Sequence, residues 1–166
     1  MHLNIEIKAR TKERGRLREI LLEAGARFHG EDQQTDTYFH TPEGRLKLRE
    51  GFIERNLIFY RRGDQAGPKA SEVFLYRPDE APLLRELLTA ALGVRQVVNK
   101  RREIYFAENV KFHLDLVEGL GEFVEIEAID MDGHADEARL RAQCAAWMER
   151  LGIRAEDLLE GSYSEM

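Results

Sequence analysis

Polar and apolar residues alternate along the first ten positions of the chain. Asn4, Glu6, Lys8 and Arg10 share one side of a strand that has a period of two, and the residues between them are apolar. Alone, this pattern is typical of a half-exposed edge strand. Its polar side carries both signs of charge, however, and later segments of the chain repeat the pattern.

The same alternation, bounded by turn residues, predicts about eight strands in all. The predicted segments are 3-10, 26-40 (bent or broken), 44-50, 55-62, 70-77, 95-107, 110-118 and 122-130. Turn signals stand at Glu43-Gly44, Glu108-Asn109 and Gly119-Leu120-Gly121. We therefore expect neighbouring strands to pair as antiparallel hairpins.

Helical spacing of apolar residues predicts three amphipathic helices, at Thr11–Gly25, Asp79–Gly93 and Ala135–Gly152. Thr11 and Asp79 have the chemistry of N-caps, and each segment ends on a glycine suited to a helix C-terminus. On the second helix the predicted apolar side consists of Leu84, Leu87, Leu88 and Ala91. With the strands, these helices predict an α+β fold.

Composition narrows the class of protein. The 166 residues are 43% hydrophobic and 34% charged, which predicts one globular domain over 1-166. The sequence has neither an apolar run near the roughly 20 residues of a membrane span nor a secretory signal. A single cysteine, Cys144, excludes an internal disulfide and a cysteine-based metal cluster, and it favours the cytoplasm. A net charge of −6 argues against a general nucleic-acid-binding role.

The polar faces of the strands are richer in basic residues than in acidic ones. We count eight basic residues against four acidic ones on the faces chosen, although the protein as a whole is acidic. The basic set is Lys8, Arg10, Arg45, Lys47, Arg49, Arg62, Lys100 and Arg102, and the acidic set is Glu6, Asp115, Glu125 and Glu127. Arg61 replaces Arg62 if the register of its strand shifts by one residue.

The helices need apolar surface to cover, so the charged faces line either solvent or the inside of a curled sheet. Eight antiparallel strands suffice to close a barrel around side chains or one small ligand. We therefore predict an antiparallel eight-stranded β-barrel with a polar lumen and an apolar outer face covered by helices. A cluster of basic groups in a lumen indicates a bound polyanion, and the carboxylates indicate Mg²⁺ or Mn²⁺. A solvated charged sheet remains the alternative.

Several motifs, in order along nearly the whole chain, resemble the CYTH superfamily of triphosphate tunnel metalloenzymes. They are Asn4-Ile5-Glu6-Ile7-Lys8, similar to an E-x-E-x-K signature; Gln34 to Phe39; Gly44 to Arg49; Lys100 to Phe106; and His113-Leu114-Asp115 with Gly119 to Glu127. The Gly-Leu-Gly-Glu-Phe run and the terminal Ser162-Tyr163 resemble the class IV adenylate cyclase branch most.

The resemblance implies a role for each matching residue. Metal-binding carboxylates are Glu6 and Glu125, with Glu127 and Asp115 as further ligands. Phosphate-binding residues are Lys8, Lys47, Arg49, Arg62, Lys100 and Arg102. Asp115 is the first candidate for orienting the nucleophile, ahead of His113, and Lys8 is the second catalytic candidate. Asn4 departs from the signature by replacing its first glutamate, which implies one strong metal site rather than two.

For function, the resemblance implies conversion of ATP to cyclic AMP and pyrophosphate. Two alternatives stay open: a triphosphatase acting on another triphosphate, and a module that binds nucleotide or polyphosphate without turnover, which Asn4 favours. Ser162-Tyr163 either closes a tunnel mouth or packs on a partner subunit in a possible homodimer.

Overall fold

The computed structural model describes residues 1–134 and 136–166, and in that part of the chain it contains eight strands and three α-helices. Ala135, the first residue of the third predicted helix, lies outside the described residues. The strands are β1 His2–Arg10, β2 Arg27–Phe39, β3 Arg45–Glu50, β4 Arg55–Arg62, β5 Lys69–Tyr76, β6 Val94–Ala107, β7 Val110–Val117 and β8 Gly121–Ile129. The helices are α1 Arg14–Glu23, α2 Ala81–Leu92 and α3 Glu137–Arg150, and short 3-10 turns follow at Ala155–Asp157 and Tyr163–Glu165.

All the strands join one closed antiparallel barrel in the order β1-β5-β4-β3-β2-β6-β7-β8, and β8 returns to β1. Hairpins link most consecutive strands, as the turn signals predict. The hairpin prediction is wrong wherever a helix intervenes, because β1 pairs with β5 and β8, and β2 pairs with β6. These long-range ladders close the sheet, so β1 is not an edge strand.

Strand β2 is continuous, and the predicted bend is a bulge between Phe28 and Gly30. Register then decides which side chains meet inside the barrel. Lys8 lies opposite Glu125 in the β1–β8 ladder, and Arg102 lies opposite Asp115 in the β6–β7 ladder. The predicted barrel with a polar lumen is confirmed.

The main hydrophobic core lies outside the barrel wall, under helices α1 and α3. Ile5 and Ile7 of β1 are buried there together with Leu21 of α1 and Cys144 of α3. Each such side chain contributes about 1.5–3 kcal/mol through burial. The apolar residues of β1 therefore hold the outer wall while its polar residues face inward.

Helix α2 covers less of the barrel than its sequence predicts. Leu87, expected on the packed side, is 59% exposed, and only Ala81 of this helix is buried among the described residues. The helix lies over β2 and β3 and is tied to β3 by an ion pair of 2.7 Å between Arg85 and Glu50. Its apolar stripe is therefore partly in solvent.

The helix starts also differ from prediction. Glu13 and Glu80 occupy the N-cap positions of α1 and α2, and the Thr11 hydroxyl instead accepts a hydrogen bond of 3.0 Å from the Glu13 amide. Gly25 and Gly152 follow the C-cap residues of α1 and α3 as predicted, with φ values of 84° and 67°, whereas Gly93 is itself the C-cap of α2. Across the described residues, we find no helix with the length and hydropathy needed to span a membrane.

Candidate functional site

The polar sides of the strands line a cavity inside the barrel with a volume of about 800 Å³, its open mouth included. The structure brings most of the predicted site residues to this wall. They are Glu6, Lys8, Lys47, Arg49, Arg62, Arg102, Glu125 and Glu127.

Strand β4 presents Arg62, and not Arg61, to the cavity. Arg62 is buried against the Glu6 carboxylate, whereas Arg61 is half exposed on the outer face and pairs with Glu72 at 3.1 Å. The choice that the sequence left open is therefore settled in favour of Arg62. Arg10 is exposed at the end of β1, where its guanidinium lies over the Phe123 ring.

Acidic groups converge where β1, β7 and β8 meet. Glu125 Oε2 lies 2.9 Å from His113 Nδ1, and Glu127 Oε1 lies 3.7 Å from the same nitrogen. Glu6 is the neighbour of Glu127 across the β1–β8 ladder. Carboxylate oxygens in such a cluster are the donors that divalent cations prefer, so this donor set fits Mg²⁺ or Mn²⁺.

Basic neighbours keep Glu125 ionised. Lys8 Nζ lies 2.9 Å from Glu125 Oε1, and Arg102 lies 3.5 Å from Oε2. Burial by itself would raise the pKa of Glu125, but these two cations hold that pKa well below its usual range. Burial lowers the pKa of Lys8, with Glu125 opposing the shift.

Glu127 has the opposite electrostatic setting. Burial, reinforced by the negative charges of Glu6 and Glu125, raises the pKa of Glu127 to about 7 despite the opposing charge of Lys111. Repulsion is therefore poorly compensated at Glu127, whereas Glu125 and Glu6 have arginine or lysine partners of their own. A bound divalent cation would relieve it, which is a second reason why the group fits a metal.

Asp36 of β2 is a buried partner that the sequence analysis missed. Arg49 binds both of its oxygens at 2.9 Å, Lys100 Nζ lies 2.6 Å from Oδ2, and Lys47 lies farther away at 3.4 Å. Lys100 is itself fully buried in this ion pair, behind the cavity wall. The period-two pattern of β2 could have revealed Asp36, because it shares a face with Gln34.

Glu54, in the turn between β3 and β4, is a second missed residue that faces the cavity. Its carboxylate pairs with Lys111 and lies 3.4 Å from Arg49. Asp32 fixes the turn by accepting hydrogen bonds from the amides of Phe52 and Glu54 at 2.8 and 2.9 Å. A turn residue has no strand periodicity, so the sequence carried no signal for it.

These additions enlarge the set of charged groups expected in the barrel. Asp36 and Glu54 add two carboxylates that the count of strand faces omitted, and Lys69 and Lys111 add two cations, so these four leave the predicted excess of basic residues unchanged. Arg10, which is exposed at the end of β1, is the predicted basic residue that drops out of the set. Much of the basic charge is already paired within the described residues, and Lys47 has the loosest pairing of the predicted phosphate contacts.

Asp115 lies behind Arg102 instead of beside the other predicted metal ligands. Its two oxygens accept from Arg102 at 2.8 and 2.7 Å, and Oδ2 also accepts from the Tyr163 hydroxyl at 2.7 Å. The carboxylate is fully buried in these contacts. The ladder register explains this placement, because Asp115 is directly opposite Arg102.

The C-terminal segment closes one end of the lumen. The Tyr163 ring lies against Phe123, and Lys8 Nζ is 3.5 Å from the ring centroid. Lys69 Nζ donates to the Glu160 carbonyl at 2.7 Å, and Glu165 pairs with Arg45 at 2.5 Å. Ser162-Tyr163 therefore packs on the barrel of its own chain, and its packing on a partner subunit stays a prediction.

The opposite end of the cavity provides its apolar contacts. Its wall contains Ile58, Val73, Leu75 and Ile129 near the start of β1, together with the polar residues His2, Asn56 and Ser71. Asn4 lies there too, and its Oδ1 is buried without a hydrogen-bond partner among the described residues. The cavity therefore runs from a charged, closed end to a partly apolar one.

With this geometry established, comparisons with known proteins identify the family. The model of the CYTH domain matches residues 2–163. The chain belongs to the CYTH family. Among curated CYTH relatives, adenylate cyclase CyaB of Aeromonas hydrophila is 33% identical over 139 residues, which are 80% of this chain and 71% of CyaB.

Solved structures share the whole CYTH fold. PH1012 of Pyrococcus horikoshii superposes with a TM-score of 0.81 at 26% identity, over 99% of this chain and 98% of its own. A Hippeastrum protein, described with a dominant triphosphatase activity, has a TM-score of 0.61 at 16% identity, over 98% of this chain and 91% of its own. At that identity the Hippeastrum structure is evidence for the fold alone.

Proposed function

We propose that this protein is a cytoplasmic enzyme that binds ATP in the barrel lumen with a divalent cation and converts it to cyclic AMP and pyrophosphate. The observation that carries the proposal is the convergence, in one enclosed cavity, of the carboxylates Glu6, Glu125 and Glu127 with cationic side chains from five strands. The similarity to CyaB favours the cyclase over other reactions of triphosphates.

Glu6, Glu125 and Glu127 would hold the cation. When bound, Mg²⁺ or Mn²⁺ would neutralise part of the negative charge of the phosphates. Lys8 lies beside Glu125 at 2.9 Å, so it is placed to contact phosphate oxygens next to these carboxylates. We also assign Asn4 to this wall as a neutral residue, which limits the strong cation sites to one.

Lys47, Arg49, Arg62 and Arg102 are assigned to the phosphates. Guanidinium groups bind phosphate oxygens in a fixed fork, and their field in a water-poor cavity stabilises the charge that develops on the leaving pyrophosphate. Lys100 and Asp115 act one layer behind. Lys100 holds Asp36 against Arg49, and Asp115 holds the Arg102 fork.

In the cyclase reaction the ribose 3′-hydroxyl attacks the α-phosphate and pyrophosphate leaves. The chain contributes to this reaction by fixing the triphosphate in line and by placing charge around it, and both effects lower the barrier without strong general-base catalysis. Asp115 is thus proposed as a positioning residue. Lys8 is proposed as the residue that faces the reacting phosphates.

The apolar end of the cavity supports a nucleoside triphosphate over inorganic tripolyphosphate. Ile58, Val73, Leu75 and Ile129 offer apolar contact of the kind that an adenine or another organic group uses. Tripolyphosphate has no group that would gain from these side chains.

Two observations support the alternative functions, which are triphosphatase activity and binding without turnover, so the experiment must distinguish both from the cyclase reaction. The Hippeastrum structure is described with a dominant triphosphatase activity, so the shared fold is compatible with water as the nucleophile. The neutral Asn4 in place of a signature glutamate favours binding without turnover.

The test is product analysis of the purified full chain with ATP, tripolyphosphate or thiamine triphosphate and Mg²⁺ or Mn²⁺. Cyclic AMP with equimolar pyrophosphate is the expected result. Orthophosphate release from any substrate would identify a triphosphatase, and binding without product would identify a binding module. The variant Glu125→Gln replaces one carboxylate of the proposed cation site by an amide of the same size. We expect it to lose nearly all turnover of ATP.

A further inference from the structure

His113 of β7 reaches the cluster of carboxylates in the lumen. The residue is 1% exposed, and β-sheet pairing holds it opposite Glu125 in the β7–β8 ladder. A side chain fixed on a strand within a closed barrel has little freedom to turn away. The ring is therefore a built part of the cavity wall.

Ligand atoms of His113, Glu125 and Glu127 lie within 4.8 Å of one another. Nδ1 is 2.9 Å from Glu125 Oε2 and 3.7 Å from Glu127 Oε1. Two ligands of one first-row metal ion, each bonded at about 2.0–2.2 Å, are separated by about 3 Å when adjacent and about 4 Å when opposite. Both distances from Nδ1 thus fall in the range expected for two ligands of one ion.

A hydrogen bond from His113 to Glu125 alone explains less of this arrangement than a shared metal ion does. Glu125 already has two cationic partners, Lys8 at 2.9 Å and Arg102 at 3.5 Å. Glu127, by contrast, has no lysine or arginine ion-pair partner among the described residues, and His113 Nδ1 lies 3.7 Å from its Oε1.

We propose that His113 Nδ1 is a nitrogen ligand that joins Glu125 and Glu127 in the cation site. The inference rests on the proposed function for the presence of a cation, and it adds the residue that decides which cation is preferred. Mn²⁺ and Mg²⁺ both bind carboxylate oxygens, but Mn²⁺, as a first-row transition metal, accepts an imidazole ligand more readily than the harder Mg²⁺ does. The chain should therefore prefer Mn²⁺ over Mg²⁺.

The test uses Mn²⁺ alone, without nucleotide, because adenine would add nitrogen atoms to the signal. Electron spin echo envelope modulation (ESEEM) spectroscopy of Mn²⁺ bound to the full chain should show coupling between the Mn²⁺ electron spin and one imidazole ¹⁴N nucleus. Labelling histidine with ¹⁵N should convert that coupling to ¹⁵N in the unsubstituted protein. This readout needs no variant that might fail to fold.

His2 provides the matched control, because it lines the same cavity. His2→Gln should retain the ¹⁴N coupling, and His113→Gln should lose it and bind Mn²⁺ at least about tenfold more weakly. His113→Asp, an all-oxygen site, should lower the ratio of Mn²⁺ to Mg²⁺ affinity by about tenfold.

Bound Mn²⁺ without nitrogen coupling, or coupling that survives in His113→Gln, would overturn the inference and leave the proposed reaction standing. Failure to bind Mn²⁺ would overturn it as well. Nitrogen coupling in a protein that turns over no triphosphate would uphold this site and refute the proposed function.

Discussion

The Tyr163 hydroxyl donates a 2.7 Å hydrogen bond to Oδ2 of Asp115, the same oxygen that accepts from Arg102. The C-terminal segment is thereby joined to the ion pair that orients a proposed phosphate-binding arginine. Because the acceptor is charged and fully buried, this hydrogen bond contributes more than an exposed one.

Tyr163→Phe tests that contact. We expect the free energy of unfolding to fall by about 1.5–3 kcal/mol, since a hydrogen bond to a charged group is lost. Urea denaturation measures the change. Tyr76→Phe is the control, because Tyr76 is 60% exposed and its hydroxyl stays in water. Equal effects of the two substitutions would contradict the role of Tyr163.

Lys47→Met should separate ligand binding from stability. Lys47 lies 3.4 Å from Asp36, which already has closer partners in Arg49 and Lys100. We expect the unfolding free energy to change by less than about 1 kcal/mol, because Asp36 keeps its two closer cationic partners. Affinity for a non-hydrolysable ATP analogue should fall at least about tenfold, or about 1.4 kcal/mol.

Arg49→Met should differ from Lys47→Met in a defined way. It breaks a bidentate pair with the fully buried Asp36, so a stability loss of about 3–5 kcal/mol should accompany the loss of affinity. Calorimetry and urea denaturation on the two variants give both quantities. A stability loss in Lys47→Met as large as that in Arg49→Met would refute the distinction.

Glu127 predicts a pH dependence of stability in the metal-free protein. Burial, then Glu6 and Glu125, raise its pKa to about 7 from 4.5. The folded state therefore binds more protons than the unfolded state between these values, so the unfolding free energy falls as pH rises. The full shift corresponds to about 3 kcal/mol.

His113 has the opposite effect on the pH dependence of the unfolding free energy. Burial and Arg102 lower the pKa of His113 to about 4, so the unfolded state binds more protons between that pH and the unperturbed pKa of 6.5. The difference in stability between the unsubstituted protein and Glu127→Gln isolates Glu127. With chelator present, we expect this difference to fall by about 1–3 kcal/mol between pH 5 and pH 8. A constant difference would show that Glu127 titrates normally.

The neutral side chain of Asn4 leads to a prediction of how many Mn²⁺ ions each chain binds tightly. Titration of the nucleotide-bound protein with Mn²⁺ should give one tight site per chain, because an amide oxygen lacks the charge of a carboxylate. Asn4→Glu should add a second site. Two tight sites in the unsubstituted protein would contradict this role of Asn4.

The barrel was predictable because period-two alternation determines which residues share a face, whichever strands become neighbours. Glu6, Lys8, Glu125 and Glu127 were found in this way. Pairing across helices was not predictable, since nothing in the alternation of β1 selects β5 and β8 as its partners. The C-terminal closure likewise depends on one aromatic residue whose partners are distant in sequence.

Several details of the site could not be predicted from the sequence, because they depend on tertiary contacts. Asp115 and Lys100 lie on the predicted faces, yet cross-strand partners occupy their charged groups. Glu54 reaches the lumen from a turn that Asp32 holds. The exposed stripe on α2 shows the same limit, because spacing identifies an apolar face without showing how much of it is covered.

The most direct test of the central claim compares Arg62 with Arg61, adjacent residues on opposite faces of the barrel wall. Isothermal titration with a non-hydrolysable ATP analogue and Mn²⁺ should give one site per chain. Arg62→Met should weaken binding at least about tenfold, whereas Arg61→Met should leave it unchanged. Equal affinity in both variants, or a loss confined to Arg61→Met, would contradict a triphosphate site in the lumen.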